Sequence, residues 1–267
     1  MLARIAPDRM PSRSIRSSAA LTAYVLHRYD WSESSLILDV FTREQGRIAI
    51  AAKGAKRPYS QLRAVLLPFQ RISLSLGRAG ADASDAEVQS LRAAEWAGGS
   101  PMLSGAALFS GFYLNELLMR LLARHDPHAL LFDVYASTVE ALGREADADA
   151  EVALRAFELT MLKEIGLLPE LGVETLTQHP VDPERRYALL ADTGVGAPRR
   201  GDSELTGQTL IGLQAALDHG SLAALQQACA VALPELKGIL RTQLYYHLGS
   251  SVLRTRQVMI EAQNLER

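Results

Sequence analysis

The first third of the chain contains short runs in which apolar and polar residues alternate, separated by turn-forming residues. The strictest run, at 70–76, ends at Gly77, and Glu44-Gln45-Gly46 is typical of a hairpin turn. A period of two residues places one side of a run on a core and the other on solvent, as in a β-strand. Five strands are therefore predicted, at residues 22–29, 35–42, 47–51, 70–76 and 88–94.

These strands fall within about 75 residues and have no long helix among them. That arrangement indicates a small β-barrel, for which an OB-fold is the natural candidate. An SH3-like barrel remains the main alternative, because periodicity does not distinguish the two.

A helical period begins after Gly98-Gly99-Ser100-Pro101, where Ser100 is predicted to be the N-cap and Pro101 to lie in the first turn. Helices are predicted at residues 103–124, 128–143, 148–168, 208–219, 222–232 and 234–248. The fold class is thus α+β with several domains. We expect a disordered basic tail (1–18), an OB-fold domain (19–97) and a helical domain (98–267) with an insert of loops or short strands at about 170–205.

Charge is distributed unevenly along the chain, although the formal net charge is −2. Residues 1–78 contain 13 Lys/Arg and 5 Asp/Glu, whereas residues 79–267 contain 15 and 25. The asymmetry favours a barrel that faces nucleic acid and a helical part with another task. Chance clustering of solvated charges is the plain alternative.

The longest apolar stretch, at 103–123, is interrupted by Asn115, Glu116 and Arg120, which predicts a buried helix rather than a membrane span. Burying Asn115 and Glu116 requires partners, so we expect them to brace neighbouring helices, with Arg120 as the local partner of Glu116.

A single cysteine, Cys229, excludes a disulfide within the chain and fits a reducing cytosol. A cytoplasmic, nucleoid-associated protein is expected. The arginine- and serine-rich residues 1–18 also suit a mitochondrial transit peptide. We favour instead a disordered basic tail, or a sequence that starts upstream of the practical beginning at Met10 or a later residue.

The loop at 53–60 is the strongest candidate for a binding site, because it holds three cations and one tyrosine without an acid. Such a loop can follow a phosphate backbone while the tyrosine stacks on bases. Its plain alternative is a solubilising loop. The predicted DNA-binding residues are Arg28, Arg43, Arg47, Lys53, Lys56, Arg57, Tyr59, Arg63 and Arg71.

The sequence contains no recognisable catalytic or metal-binding pattern. The chain has no P-loop, G-x-S-x-G or H-E-x-x-H motif, and Cys229 is predicted to be a buried apolar residue. His125-Asp126-Pro127-His128 favours a polar turn between helices over a metal site. We expect no enzymatic activity, no cofactor and no metal.

Several ordered motifs resemble the RecO family. They are Gly46-Arg47, Lys53-Gly54-Ala55-Lys56-Arg57 with Ser60, Leu67-Pro68-Phe69, Glu95, Tyr113-Leu114-Asn115-Glu116-Leu117, Leu154-Arg155-x-Phe157-Glu158 and Leu253-Arg254-Thr255-Arg256. Together they span about residues 20–257. No single motif is decisive, but the ordered set is fairly specific.

The resemblance implies a recombination mediator that binds single- and double-stranded DNA, anneals complementary strands and acts with RecR to load RecA. It also implies contact with the acidic C-terminal tail of single-stranded-DNA-binding protein, for which Arg155 and Arg256 are the candidates. Unlike several family members, the chain has no cysteine between Leu171 and Arg200, so a structural zinc is not expected there. A scaffold whose barrel binds protein, and a metal-dependent nuclease, are the alternatives. The sequence does not decide which barrel face contacts DNA.

Overall fold

The computed structural model describes residues 20–77, 88–98, 101–144, 147–249, 253–255, 257, 258 and 261, with the backbone alone at 147 and 148. The predicted tail, the predicted N-cap Ser100 and the partner-binding candidate Arg256 lie outside the described residues.

The N-terminal part folds as a closed barrel of five strands. They are β1 (Leu21–Asp30), β2 (Leu36–Thr42), β3 (Gly46–Ala52), β4 (Arg71–Leu76) and β5 (Val88–Trp96), with a one-turn helix α1 (Leu62–Val65) between β3 and β4. The strand order is β1-β2-β3-β5-β4, closed by β1 against β4, and β3 and β5 are parallel. This is the OB-fold arrangement, so the five predicted strands and the preferred barrel type are confirmed.

The strand β1 is buried on both of its faces along much of its length. Ala23 and Val25 point into the barrel, where they meet residues such as Val40 and Ile48. Tyr24 and Leu26, on the other face, belong to the core of the helical part. The barrel and the helices therefore share apolar packing along β1, which explains why its sequence alternates only loosely.

The helical part contains six helices among the described residues. They are α2 (Gly105–Leu121), α3 (Ala129–Leu142), α4 (Asp147–Glu164), α5 (Gly207–His219), α6 (Leu222–Val231) and α7 (Leu233–Leu248). The helix α2 begins two residues after its predicted start, and the predicted N-cap is wrong, because the N-cap is Ser104, which has extended backbone angles. Pro101 instead lies against Gly143 at the end of α3, where an added Cβ would be 3.2 Å from the proline ring.

The insert between α4 and α5 forms a small antiparallel sheet rather than loops alone. Its strands β6 (Arg186–Leu190), β7 (Gly194–Gly196) and β8 (Glu204–Thr206) lie in the order β7-β6-β8. Tyr187 and Leu205 are buried in the same core as the helices, and the Gln243 side chain of α7 donates a hydrogen bond to the Leu189 carbonyl at 3.1 Å. Apolar packing and this hydrogen bond hold the insert on the bundle.

A buried asparagine ties α2 to both α3 and the barrel. The Asn115 amide donates to the Leu26 carbonyl of β1 at 2.9 Å, and its oxygen accepts from the Tyr135 hydroxyl at 2.7 Å. Burial raises the pKa of Tyr135 well above its ordinary value, so the hydroxyl stays protonated and remains a donor. The predicted brace is confirmed, and it reaches a barrel strand as well as a helix. Among the residues that the structure describes, none of the helices combines the length and the hydrophobicity that a membrane span requires.

Candidate nucleic-acid interface and helical pocket

One end of the barrel carries a cavity of about 650 Å³, called here the barrel groove. It is lined by Arg28, Tyr29, Asp30, Leu36, Ala55, Lys56, Arg63 and Leu66. The fold thus brings together three predicted DNA-binding cations from β1, from the loop after β3 and from α1. Their convergence on one concave surface is the geometry that a phosphate backbone requires.

Lys56 fixes the two loops that border the groove. Its ammonium lies 3.2 Å from the Asp30 carboxylate and donates to the Ser32 carbonyl at 3.1 Å. Its backbone N–H donates to the Ser34 carbonyl at 3.0 Å. Gly54, at a φ of +73°, permits the tight turn that delivers Lys56 to this position. The loop after β1 and the loop after β3 are therefore docked to each other.

Exposed cations and aromatic rings surround the groove. Lys53 and Arg57 lie on the solvent side of the same loop, and Tyr59 is 99% exposed. Tyr29 and Trp31 are also exposed, at 47% and 56%. Large rings presented to water beside cations form a platform on which bases can stack.

The sequence reasoning missed Tyr29 and Trp31, although a usable signal was present. The segment His27-Arg28-Tyr29-Asp30-Trp31 places aromatic residues in an otherwise polar stretch at the end of a strand. Aromatic residues that alternate with charges at a barrel rim are typical of a nucleic-acid-binding surface.

Three predicted DNA-binding cations lie elsewhere. The Arg43 guanidinium forms a two-point ion pair with Asp133 of α3, at 2.9 and 3.0 Å. Arg47 forms a similar pair with Asp39, and Arg71 is exposed on β4 outside the groove lining. Because Arg43, Arg47 and Arg71 do not line the groove, the candidate interface consists of the other six predicted residues, which line it or lie in the loop beside it.

Asp39 is the centre of a charged cluster between the barrel and the helices. Its side chain is 2% exposed and accepts from Arg47 at 2.9 and 3.0 Å and from Arg124 at 3.3 Å. Arg47 also donates to the carbonyls of Met119 and Leu122 near the end of α2. Two guanidinium groups and one carboxylate thus join β2, β3 and the segment after α2.

The helical part has its own cavity of about 340 Å³, called here the helical pocket. Its lining comes from α2, α4, α7 and the C-terminal segment: Phe109, Ser110, Tyr113, Glu151, Leu154, Arg155, Lys237, Arg241, Leu244, Tyr245, Leu253 and Thr255. The walls are largely apolar and carry three cations. Such a pocket suits a short peptide with an apolar end and carboxylates.

The three cations of the pocket differ in their surroundings. The Arg155 side chain is 10% exposed and contacts Glu158 at 2.8 Å, whereas Lys237 pairs with the exposed Glu151 at 2.6 Å. Arg241 is exposed and has no carboxylate partner in the described part of the chain. Lys237 and Arg241 were not predicted, although their spacing of four residues places them on one face of a helix.

Glu116 attaches the C-terminal segment to the edge of the pocket. Its carboxylate accepts from the backbone N–H groups of Arg254 at 3.0 Å and Thr255 at 2.9 Å, and also from the Thr255 hydroxyl. Burial would raise the pKa of Glu116, but these hydrogen bonds outweigh it and lower the pKa. Glu116 therefore stays ionised and holds Leu253 as a wall of the pocket, in addition to its predicted pair with Arg120.

The remaining candidates for chemistry have structural surroundings. Cys229 is buried, which raises the pKa of its thiol to about 12 and keeps it protonated. His128 lies between Asp126 at 3.3 Å and Glu164 at 3.4 Å in the turn after α2. The described residues contain no group of three or more His, Cys, Asp or Glu placed to hold a metal ion.

Comparison with known proteins gives consistent matches over nearly the whole chain. The family models for the N-terminal and C-terminal parts of recombination protein O match residues 17–97 and 102–257. The chain is 53% identical over 245 residues to the DNA repair protein RecO of Polaromonas naphthalenivorans (strain CJ2), covering 91% of this chain and 96% of that protein. It is 52% identical to the DNA repair protein RecO of Verminephrobacter eiseniae (strain EF01-2), with the same coverage of 91% and 96%.

Proposed function

The chain belongs to the RecO family of DNA repair proteins, and on this basis we propose that it is a recombination mediator that binds DNA without sequence specificity. In this proposal it binds single and double strands and anneals complementary strands. With RecR it helps to load RecA onto DNA coated by single-stranded-DNA-binding protein. The observation that carries the proposal is the convergence of cations and exposed aromatic rings at the barrel groove.

The groove provides the two kinds of contact that sequence-independent binding needs. Arg28, Lys56 and Arg63 can neutralise phosphates, and Tyr29, Trp31 and Tyr59 can stack on bases of any identity. Annealing follows from the same surface, because two polyanionic strands meet more readily when cations reduce their mutual repulsion.

A DNA titration followed by an annealing assay tests this proposal. We expect labelled single-stranded DNA to bind at low salt, with an affinity that falls steeply as salt increases. Complementary strands, bare or coated with single-stranded-DNA-binding protein, should then anneal faster than they do alone. If the chain does not bind DNA at low salt and does not accelerate annealing, the result favours the alternative of a protein-binding scaffold.

The helical pocket is the proposed site for the acidic C-terminal tail of single-stranded-DNA-binding protein. The apolar walls at Phe109, Leu154 and Leu244 suit the apolar end of such a tail. Arg155, Lys237 and Arg241 can receive its carboxylates, even though the helical part is acidic overall. In this proposal the barrel groove binds DNA, and the helical pocket binds the tail of the protein that coats the DNA.

Arg241→Ala is expected to weaken binding of a synthetic peptide carrying that acidic tail by roughly fivefold, because an exposed charge-assisted contact contributes about 1 kcal/mol. Fluorescence anisotropy with labelled peptide measures the Kd. The matched control is Arg200→Ala, which removes another exposed arginine of the helical part that does not line the pocket. Equal Kd values for the two variants would contradict the placement of the tail.

A further inference from the structure

Arg155 is a guanidinium with N–H donors to spare in the described part of the chain. No hydrogen bond joins it to another described residue, and its one close polar contact is Glu158 at 2.8 Å. That contact lacks hydrogen-bond alignment, since the Glu158 Oε2 atom accepts no hydrogen bond in the described part of the chain. An arginine presents five N–H donors. At 10% exposure and in the lining of the helical pocket, Arg155 is positioned to donate to an incoming anion.

Glu158 sits directly behind this arginine and is fully buried. Its Oε1 atom accepts a hydrogen bond of 2.6 Å from the Tyr113 hydroxyl of α2, which holds the carboxylate in place. Burial raises the pKa of Tyr113 well above its ordinary value, so the hydroxyl remains protonated and donates. Burial raises the pKa of Glu158 itself, and the Arg155 guanidinium and the Tyr113 hydrogen bond oppose this by favouring the ionised form. The carboxylate therefore lies at a fixed position, in contact with a largely buried guanidinium that lines the pocket.

We infer that Glu158 is an affinity-determining residue of the helical pocket, an internal carboxylate that competes with the ligand for Arg155. It orients the guanidinium and cancels much of its positive charge. An acidic peptide then meets a nearly neutral ion pair rather than a full cation, and it is held more weakly. This inference rests on the proposed role of the pocket as the site for an acidic peptide tail.

The competition is strong because the pair is buried. Charges attract and repel over a few ångströms more strongly in a protein interior than in water. The other pair at the pocket, Lys237 with Glu151, has exposed side chains, and solvent screens its effect on a ligand. Of these two carboxylates, we therefore expect Glu158, which lies behind the pocket lining, to influence ligand affinity more than Glu151 does.

The consequence is a peptide complex that dissociates readily. A weakened contact at the centre of a pocket chiefly increases the dissociation rate, because association rates vary less among variants of one site. A mediator that must release its partner once the DNA has been handed over benefits from such an exchange.

Glu158→Gln tests the inference on the full-length chain, with the synthetic acidic tail peptide as the probe. The glutamine keeps an acceptor for Tyr113 but removes the competing charge, so we expect the Kd to fall about fivefold to tenfold, mostly through slower dissociation. Peptide should also raise the Tm of this variant more than that of the unmodified chain, because tighter binding stabilises more. A residue with a merely structural role would leave peptide affinity unchanged or weaken it.

Glu164→Gln is the matched control, since it makes the same charge change on the same helix and lies against His128 rather than Arg155. Its Kd should match that of the unmodified chain. If Glu158→Gln does not fold, Glu158→Asp carries the test, because the shorter carboxylate withdraws from Arg155 and should give an intermediate gain in affinity. Unchanged or weaker binding in the folded Glu158 variant overturns the inference. An unmodified chain that does not bind the peptide overturns the proposed role of the pocket itself.

Discussion

Replacing Lys53, Arg57 and Arg63 together by alanine is expected to raise the Kd for single-stranded DNA about a hundredfold at about 0.1 M salt. All three side chains are exposed, and none has a carboxylate partner among the described residues, so they are free to meet phosphates. Each lost phosphate contact reduces the slope of log K against log salt by about 0.7 for a single strand. The slope should therefore flatten by about 2, which a fluorescence titration over a salt series measures.

The control for this variant removes the same total charge from elsewhere. Arg71, Arg92 and Arg200 are exposed and do not line the barrel groove, so their replacement by alanine should change the salt slope little. Equal losses in the two triple variants would mean that net charge alone governs DNA binding. The groove would then have no special role.

The strands and helices were predictable because their signals are local. Gln70 to Leu76 alternates with a period of two, and the observed strand β4 begins one residue later. The insert was predicted only as loops or short strands, since β7 and β8 are three residues each, too short to establish a period. The N-cap of α2 was predicted at Ser100 because Pro101 suits a first helical turn. In the structure the proline packs against Gly143 instead, and a sequence pattern cannot distinguish these two roles.

The roles of individual cations were not predictable from local pattern. Arg47 and Arg63 are the same residue type in the same basic region, yet one is held by Asp39 while the other borders the groove. The pair of Arg43 with Asp133 joins residues 90 positions apart in the sequence. Such partners are brought together only when the helices pack on the barrel, and the local sequence pattern does not predict that packing.

The helical pocket shows the same division between local and tertiary information. Lys237 and Arg241 share a helix face by spacing alone, which a sequence reading can recognise. Their position beside Arg155 depends on how α7 packs on α4, and the pocket wall at Leu253 depends on the hydrogen bonds that Glu116 accepts from the C-terminal segment. The pocket is therefore a product of tertiary structure.

The second large effect is expected at the junction of barrel and helices, where Asp39→Ala should lower the free energy of unfolding by about 3–5 kcal/mol. The change leaves Arg47, which is 14% exposed, and Arg124 without their shared carboxylate. The largely buried Arg47 guanidinium then lacks a counter-charge and is repelled by Arg124, and removing one partner of a buried ion pair is costly for that reason. Urea unfolding followed by circular dichroism measures the loss.

Asp133→Ala is the matched control, because it removes an aspartate that also pairs with an arginine across the junction of barrel and helices. The side chains of Asp133 and Arg43 are about half exposed, at 52% and 46%, so solvent replaces the lost contact and the effect should be a small fraction of that at Asp39. A similar loss in both variants would contradict the central role of Asp39. A selective loss at Asp39 would instead show that this buried carboxylate, through Arg47 and Arg124, stabilises the packing of the barrel on the helical part.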